Sequence, residues 1–137
     1  MVTDPVATPA ITVLVAEDNA VMRQMIAGIC RDCGAHVVEC SNGIEAVESF
    51  QKHRPDCSLI DFEMPEMDGL EATARIRSLS RCARVFIVTQ YDNESLRQAA
   101  AGAGANGFVR KEDLHMLPDL LKAEKLLQTF ALPAWSE

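Results

Sequence analysis

Five short apolar runs alternate along the chain with longer stretches of helical periodicity, and this alternation constrains the fold most. The runs cover residues 11–16, 36–40, 57–61, 85–89 and 107–109. Each run is too short for a stable helix, whereas the segments between them repeat apolar residues three and four positions apart. Helix-containing connections join parallel strands through right-handed crossovers. The sequence therefore predicts a doubly wound α/β fold, in which five helices cover both faces of a five-stranded parallel sheet.

Capping residues and helical periodicity predict the ends and buried faces of the helices. Asn19 is predicted to cap the first helix and Asp92 or Asn93 the fourth, the second ends before Pro55, and the fifth begins near Leu117. The predicted buried positions are Met22, Met25, Ile26, Ile29, Cys30 and Cys33 in the first helix, Ile44, Val47 and Phe50 in the second, Gly69, Ala72, Ile76 and Leu79 in the third, Leu96, Ala99, Ala100 and Ala103 in the fourth, and Leu120, Ala123, Leu127 and Phe130 in the fifth. The small alanines make few large contacts, so the fourth helix is predicted to shift most easily.

Length and charge narrow the class of protein. A chain of 137 residues with a net charge of −7 and no block of Lys or Arg predicts one domain that does not bind nucleic acid. Residues 1–10 carry two prolines and no apolar run, so they are neither a signal peptide nor a membrane span. We expect a flexible N-terminal tail over residues 1–10, a domain over 11–130, a C-terminal tail over 131–137, and a cytoplasmic protein without membrane contact.

Five cysteines in a chain without a secretion signal predict free thiols in a reducing compartment. The pair Cys30 and Cys33 has the spacing of a zinc half-site or a redox motif. However, no second pair has matching spacing, and the motif lies late in a helix instead of at its start. We therefore interpret the cysteines as buried structural residues.

Polar residues follow four of the predicted strands. Glu17 and Asp18 follow the first, Asp61 ends the third, Thr89 ends the fourth and Lys111 lies just past the fifth. The carboxyl ends of parallel strands meet at one edge of the sheet, which is where open α/β folds bind ligands. Clustered carboxylates suit Mg²⁺, and a phosphoryl group on Asp61 would also need a Lys ammonium and a hydroxyl donor.

These residues resemble the response-regulator receiver domains of two-component signalling, in particular chemotaxis-Y-like receivers. The resemblance covers about Thr12 to Phe130 and rests on the segments VLVAEDN (13–19), LIDFEMPEMDGLEA (59–72), VT (88–89) and GFVRK (107–111). It implies a flavodoxin-like fold with strand order 2-1-3-4-5. It also implies that Asp61 is the phosphoacceptor, Lys111 contacts the phosphoryl group, and Thr89 and Phe108 form a switch pair. Asp18, Asp61 and the backbone carbonyl of Glu63 would bind Mg²⁺, or Mn²⁺ as an alternative, and Glu17 would act through water.

The resemblance further implies partners and a mechanism. A histidine kinase or histidine phosphotransfer protein would phosphorylate Asp61 in a phosphorelay, and this would switch a face that binds a downstream protein or forms a phosphorylation-dependent dimer. Gln90 stands where these domains usually have a small residue, and Phe108 stands where Tyr is common. We expect Gln90, Tyr91 and Glu63 to govern the approach of water to the aspartyl phosphate, and crowding by the first two to lengthen its lifetime.

Other functions fit the same fold. The alternatives are a degenerate receiver that acts only as a docking module, a phosphohydrolase that uses Asp61 as nucleophile, and a flavin-binding module. The docking module is disfavoured because every acceptor-site residue type is present. The phosphohydrolase is disfavoured because the segment after Asp61 differs from the one that such an enzyme would need, and because no insertion exists that could form a cap over a substrate. The flavin-binding module is disfavoured because Glu17 and Asp18 would repel a flavin phosphate. Gly102-x-Gly104-x-x-Gly107 matches a dinucleotide fingerprint but follows a helix, the wrong context. Whether the chain is an enzyme stays open, because it would catalyse only its own phosphorylation and dephosphorylation.

Overall fold

Five parallel strands form the central sheet of the computed structural model, which describes residues 10–130 and the side-chain surroundings of residues 10–128. The strands are β1 (Thr12–Ala16), β2 (His36–Cys40), β3 (Cys57–Asp61), β4 (Val85–Thr89) and β5 (Gly107–Arg110). The helices are α1 (Ala20–Asp32), α2 (Gly43–His53), α3 (Gly69–Leu79), α4 (Glu94–Ala103) and α5 (Leu117–Phe130). The strand order is β2-β1-β3-β4-β5. The predicted doubly wound sheet, its order and its five helices are confirmed, and a 3₁₀ helix that was not predicted, Lys111–Met116, precedes α5.

The register of the strands brings their carboxyl ends to one edge. Ala16 pairs with Cys40 on one side and with Ile60 on the other, so Glu17 and Asp61 lie at the same height. Asp61 pairs with Val88, and Thr89 pairs with Arg110, the residue before Lys111. The pairing alone therefore places the predicted polar residues along this edge of the sheet.

Alternate strand residues point to opposite faces of the sheet and build two cores. On one face, Val15, Leu59 and Val88 pack with Ile26 of α1 and Leu121 of α5. On the other face, the neighbouring strand residues Leu14 and Ile60 pack with Phe50 of α2 and Ile76 of α3. Helix α4 packs against α3 and β5. Because both faces are covered, the three central strands β1, β3 and β4 are buried along nearly their whole length, as their continuous apolar runs predicted, whereas the edge strands β2 and β5 are only partly buried.

Four helices begin with the same cap. The side chains of Asn19, Asn42, Asp68 and Asn93 each accept a hydrogen bond from the backbone N–H three residues later. This contact satisfies one of the N–H groups that a helix start leaves without a partner. The predicted cap at Asn19 is confirmed, and of the two predicted candidates for α4 it is Asn93 that caps, which leaves Asp92 free to make other contacts.

The buried faces of the helices differ in part from the prediction. Several residues predicted to be buried are exposed: Met25 in the middle of the first helix, Cys33 just after it, Ile44, Leu79, Ala99, Ala123 and Leu127. On α5 the buried positions are Leu117, Leu121 and Glu124, and Phe130 lies outside the residues whose side chains are described. The hydrophobic periodicity placed Glu124 outside the buried face because glutamate is charged. Glu124 is nevertheless buried, because its carboxylate is paired with Arg84 at 2.9 Å. The inward face of α5 therefore lies one position away from the predicted face.

The cysteines also differ from the prediction. Cys30, Cys40 and Cys57 are buried, whereas Cys33 and Cys82 are exposed, and none of the five forms a disulfide. Burial raises the pKa of the Cys30 thiol to about 12, which opposes thiolate formation and agrees with the rejection of a redox motif.

Of the two predicted tails, residues 1–9 and 131–137 lie outside the described residues. Between residues 10 and 130, no helix combines the length and the apolar character that crossing a membrane requires.

Candidate functional site

Lys111 joins two carboxylates at the strand edge. Its Nζ lies 3.0 Å from Asp61 Oδ1 and 2.7 Å from Glu17 Oε1. Asp61 is 5% exposed and Glu17 is 1% exposed, so both ion pairs are shielded from solvent. One ammonium therefore holds the predicted acceptor and a carboxylate from the neighbouring strand in a single cluster.

The backbone and the cap of α1 fix the position of Glu17. Its N–H donates to the carbonyl of Cys40, and its own carbonyl accepts from Arg23 Nη1 at 2.8 Å. Glu17 Oε2 accepts from the N–H of Asn19. Oε1 is buried and faces the ammonium of Lys111 in an ion pair. The anchoring by Arg23 was not predicted, because nothing in the sequence marks which arginine turns back to a strand end.

Burial and charge shift the pKa values of the cluster. Burial is the largest cause of the rise in the pKa of Asp61 to about 6, a hydrogen bond with Lys111 lowers it in part, and the charge of Glu17 raises it. Burial alone lowers the pKa of Lys111, but the carboxylates of Glu17 and Asp61 outweigh that effect and raise it. At neutral pH the cluster therefore holds an ionised Asp61 and a charged Lys111.

The donor set fits a hard divalent cation. Glu17, Asp18 and Asp61 each offer a carboxylate oxygen, and these oxygens lie within 4.8 Å of one another. Asp18 is exposed, unlike its two neighbours. Three carboxylates oppose the single ammonium of Lys111 in this cluster. Excess negative charge and oxygen-only ligands are the conditions under which Mg²⁺ binds, with waters completing its shell.

A cavity of about 240 Å³ opens above the cluster. Thr89, Gln90 and Glu63 line it together with the carboxylates and Lys111. Thr89 is 1% exposed, and its Oγ1 accepts from the N–H of Tyr91 at 3.0 Å. Tyr91 is not among the residues that line the cavity; its hydroxyl accepts instead from Gln90 Nε2 at 3.0 Å.

Two close backbone approaches shape the loop after Asp61. A Cβ added to Gly69 would overlap the carbonyl oxygen of Asp61, and one added to Gly43 would overlap the carbonyl oxygen of Met67. Both positions therefore require glycine, because any side chain would push the loop that carries Glu63 away from the cavity. The sequence indicated a turn at Gly69 but gave no signal for the contact of Gly43.

Phe108 lies apart from the acidic cavity. Its ring is half-buried at the start of β5, and the guanidinium of Arg97 lies over it at 4.8 Å from the ring centroid. Phe108 lines two other cavities, of about 330 and 270 Å³. The predicted switch pair is thus divided between two places, with Thr89 at the cluster and Phe108 on the surface formed by α4, β5 and α5.

Known sequences resemble this chain over most of its length. The family described as the response regulator receiver domain matches residues 13–122. The chemotaxis protein CheY of Bacillus subtilis is 38% identical over 100 residues, which cover 72% of this chain and 83% of that protein. The transcriptional regulatory protein PdtaR of Mycobacterium tuberculosis is 35% identical over 125 residues, which cover 90% of this chain and 60% of that protein.

Solved structures have the same architecture. The chemotaxis protein CheY4 of Vibrio cholerae superposes with a TM-score of 0.79 at 27% identity, covering 84% of this chain and 98% of that one. The receiver domain of the sensor histidine kinase PA1611 from Pseudomonas aeruginosa superposes with a TM-score of 0.78 at 28% identity, covering 85% and 98%. That structure has a magnesium ion coordinated in its active site cleft.

Proposed function

The chain belongs to the response-regulator receiver domain family of two-component signalling, and from this we propose that Asp61 accepts a phosphoryl group in a Mg²⁺-dependent reaction. The observation that carries the proposal is the buried cluster in which Lys111 Nζ lies 3.0 Å from Asp61 and 2.7 Å from Glu17. An oxygen of Asp61 forms the new bond to phosphorus. The bond from phosphorus to the donor breaks, and its electron pair stays with the donor.

Each residue of the cluster has a separate role in this proposal. Asp18, Asp61 and the backbone carbonyl of Glu63 hold the cation, which is Mg²⁺ or alternatively Mn²⁺, and the cation offsets negative charge at the acceptor. Lys111 contacts the phosphoryl oxygens, and Glu17 holds Lys111 and acts on the cation through water. Thr89 turns its hydroxyl to donate to the phosphoryl group, and this movement takes its oxygen away from the N–H of Tyr91.

The partners follow from the same proposal. The donor is a histidine kinase or histidine phosphotransfer protein, and the product is a changed surface at α4, β5 and α5 that binds a downstream protein or a second copy of the chain. Neither nucleic acid nor membrane is a partner, and the protein acts in the cytoplasm. The net charge of −7 supports a protein partner over a phosphate backbone.

Asp18→Asn is expected to weaken Mg²⁺ binding more than Glu17→Gln. Asp18 is exposed and free to bind the ion directly, whereas both oxygens of Glu17 already face Lys111 and Asn19. Loss of an indirect partner costs roughly tenfold or more in metal affinity, so the loss for Asp18 should exceed that. Isothermal titration calorimetry with MgCl₂ measures both. Glu63→Gln is the control, because the proposal uses only the backbone carbonyl, and equal losses for Asp18 and Glu17 would contradict the assigned roles.

Thr89→Ala is expected to accept phosphate but lose the phosphorylation-dependent change in association or partner binding. The variant keeps Asp61 and Lys111 but lacks the hydroxyl that senses the phosphoryl group. Sedimentation of the protein with and without acetyl phosphate and Mg²⁺ measures the association. Thr73→Ala is a matched control, because its buried hydroxyl donates to the carbonyl of Gly69 inside α3. A full response in Thr89→Ala would remove Thr89 from the switch.

Gln90→Ala is expected to shorten the lifetime of the aspartyl phosphate. Gln90 lines the cavity above Asp61, and its side chain hinders the in-line approach of water. The hydroxyl of Tyr91 holds the side chain of Gln90. Tyr91→Phe should therefore accelerate the loss of phosphate less than Gln90→Ala does, and Tyr91→Ala should accelerate it no more than Gln90→Ala does. Decay of the phosphorylated protein after removal of acetyl phosphate measures this. An unchanged decay rate in Gln90→Ala would exclude steric control by that residue.

A further inference from the structure

Arg97 of α4 covers the switch aromatic. Its guanidinium lies 4.8 Å from the centroid of the Phe108 ring, the distance and arrangement of a cation–π contact. Where a tyrosine would present a hydroxyl, this chain has only an aromatic face, and Arg97 contacts that face. The contact exists only while the ring stays at the surface beside α4.

Asp92 fixes the position of Arg97. Asp92 Oδ1 accepts from Arg97 Nε at 2.8 Å and lies 2.8 Å from Arg97 Nη2, and Asp92 Oδ2 lies 3.4 Å from Arg110 Nη1. Two nitrogens of one guanidinium on one carboxylate define its plane as well as its place. Asp92 therefore connects α4, through Arg97, to the end of β5, through Arg110.

The loop that carries Asp92 begins at the phosphorylation site. Thr89 ends β4, its hydroxyl accepts from the N–H of Tyr91, and Asp92 follows Tyr91 directly. A Thr89 hydroxyl that turned to a phosphoryl group would release the Tyr91 N–H, one residue before the carboxylate that holds Arg97. A change at the acceptor thus reaches the Arg97–Phe108 contact through three residues of one loop.

Two cavities share the Phe108 ring as part of their lining. Arg97 and Phe108 both line the cavity of about 330 Å³ beside α5 and the cavity of about 270 Å³ beside α4. If the ring left this position, Arg97 would lose its cation–π contact and both cavities would lose part of their lining. A reorientation of this one ring would therefore change the shape of this surface.

We infer that Asp92 and Arg97 form a latch that holds Phe108 in the orientation of the unphosphorylated protein. The inference rests on the proposed switch and adds residues that regulate it. Arg97 acts on Phe108, Asp92 acts on Arg97, and neither touches the acceptor cluster. Removing the latch shifts the unphosphorylated population toward the switched orientation, and by thermodynamic linkage the acceptor site then binds a phosphoryl mimic more tightly.

The test measures the affinity of the full chain for beryllium fluoride, an anionic phosphoryl mimic, at saturating Mg²⁺. Arg97→Gln and Asp92→Asn are expected to bind it roughly two- to fivefold more tightly, the range that corresponds to one exposed cation–π contact. In Arg97→Gln the loss of a positive charge would by itself weaken the binding of an anion, so the expected sign opposes simple electrostatics. Asp92→Asn removes a negative charge, which by itself favours an anion, so Arg97→Gln is the variant that decides. Arg75→Gln is the matched control, because Arg75 makes an exposed ion pair with Glu71 at 2.9 Å on α3, and its affinity should not increase.

A second readout follows the ring directly. The chain has five phenylalanines, so fluorine NMR of protein labelled with 4-fluorophenylalanine gives a small set of signals, and Phe108→Leu identifies the one from Phe108. Without the mimic, this signal should move in Arg97→Gln toward its mimic-bound position. Unchanged affinity and an unchanged signal in both variants would overturn the latch. If the wild-type chain failed to bind the mimic with Mg²⁺, the proposed function itself would fail, which is a distinct result.

Discussion

Asp61→Asn is expected to abolish uptake of a phosphoryl group from acetyl phosphate in the presence of Mg²⁺. Asparagine keeps the size of the side chain but has no anionic oxygen to form the bond to phosphorus. Asp61 is also one of the two carboxylates that Lys111 contacts, at 3.0 Å, and it lines the cavity. Intact-mass spectrometry of the treated protein should show one added phosphoryl group in the wild type and none in the variant.

The control for this experiment is Asp32→Asn, which makes the same chemical change at an exposed position at the end of α1. It should be labelled as the wild type is. Labelling of Asp61→Asn at the wild-type level would show that another residue accepts the group, and the proposed acceptor would be wrong. Loss of labelling in both variants would point to a defect unrelated to the acceptor.

The same substitution is expected to stabilise the fold at neutral pH. Asp61 has a pKa of about 6 in the folded protein against an ordinary value of 3.8, so the folded chain disfavours the charged form. The shift corresponds to roughly 1–3 kcal/mol of lost stability once Asp61 is ionised. Urea unfolding at pH 7.5 should therefore give a larger free energy of unfolding for Asp61→Asn than for the wild type, as expected where a functional site is kept at the expense of stability.

The stabilisation expected for Asp61→Asn should depend on pH. A group whose pKa is raised in the folded state contributes its stability below the unfolded pKa and loses it as the pH rises through the folded pKa. The advantage of Asp61→Asn should thus be small near pH 4, grow up to about pH 6 and stay constant above pH 7. An advantage that is the same at pH 4 and pH 7.5 would exclude the titration of Asp61 as its cause.

The strands and caps of this fold were predictable because their signals are local. Four of the five predicted apolar runs contain or equal a strand of the structure, and the fifth, residues 107–109, extends by one residue to Arg110. Asn19 and Asn93 cap their helices because a short polar side chain reaches an N–H three residues later. Such contacts depend only on residues that are neighbours in sequence, so they can be inferred without the tertiary structure.

The acceptor cluster was predictable for a related reason. Parallel pairing places all strand ends at one edge, so polar residues that follow different strands meet there whatever the details of packing. Glu17, Asp61, Thr89 and Lys111 were predicted as a group on this basis, and they line one cavity. Their separate roles, which rested on resemblance, stay predictions until the variants are measured.

Tertiary structure alone decided the contacts between side chains that are distant in the sequence. The inward face of α5 is set by the pairing of Glu124 with Arg84, 40 positions apart, a contact that a hydrophobicity pattern cannot register. The contact of Arg97 of α4 with the ring of Phe108 of β5 is of the same kind. The sequence by itself determined the order of elements and the residue types at the sheet edge, since hydrophobic burial and strand pairing act on patterns. The partner of each long side chain was decided only by three-dimensional packing. The sequence contains several arginines and carboxylates that could pair with one another, and only their distances in the folded protein determine which pairs form.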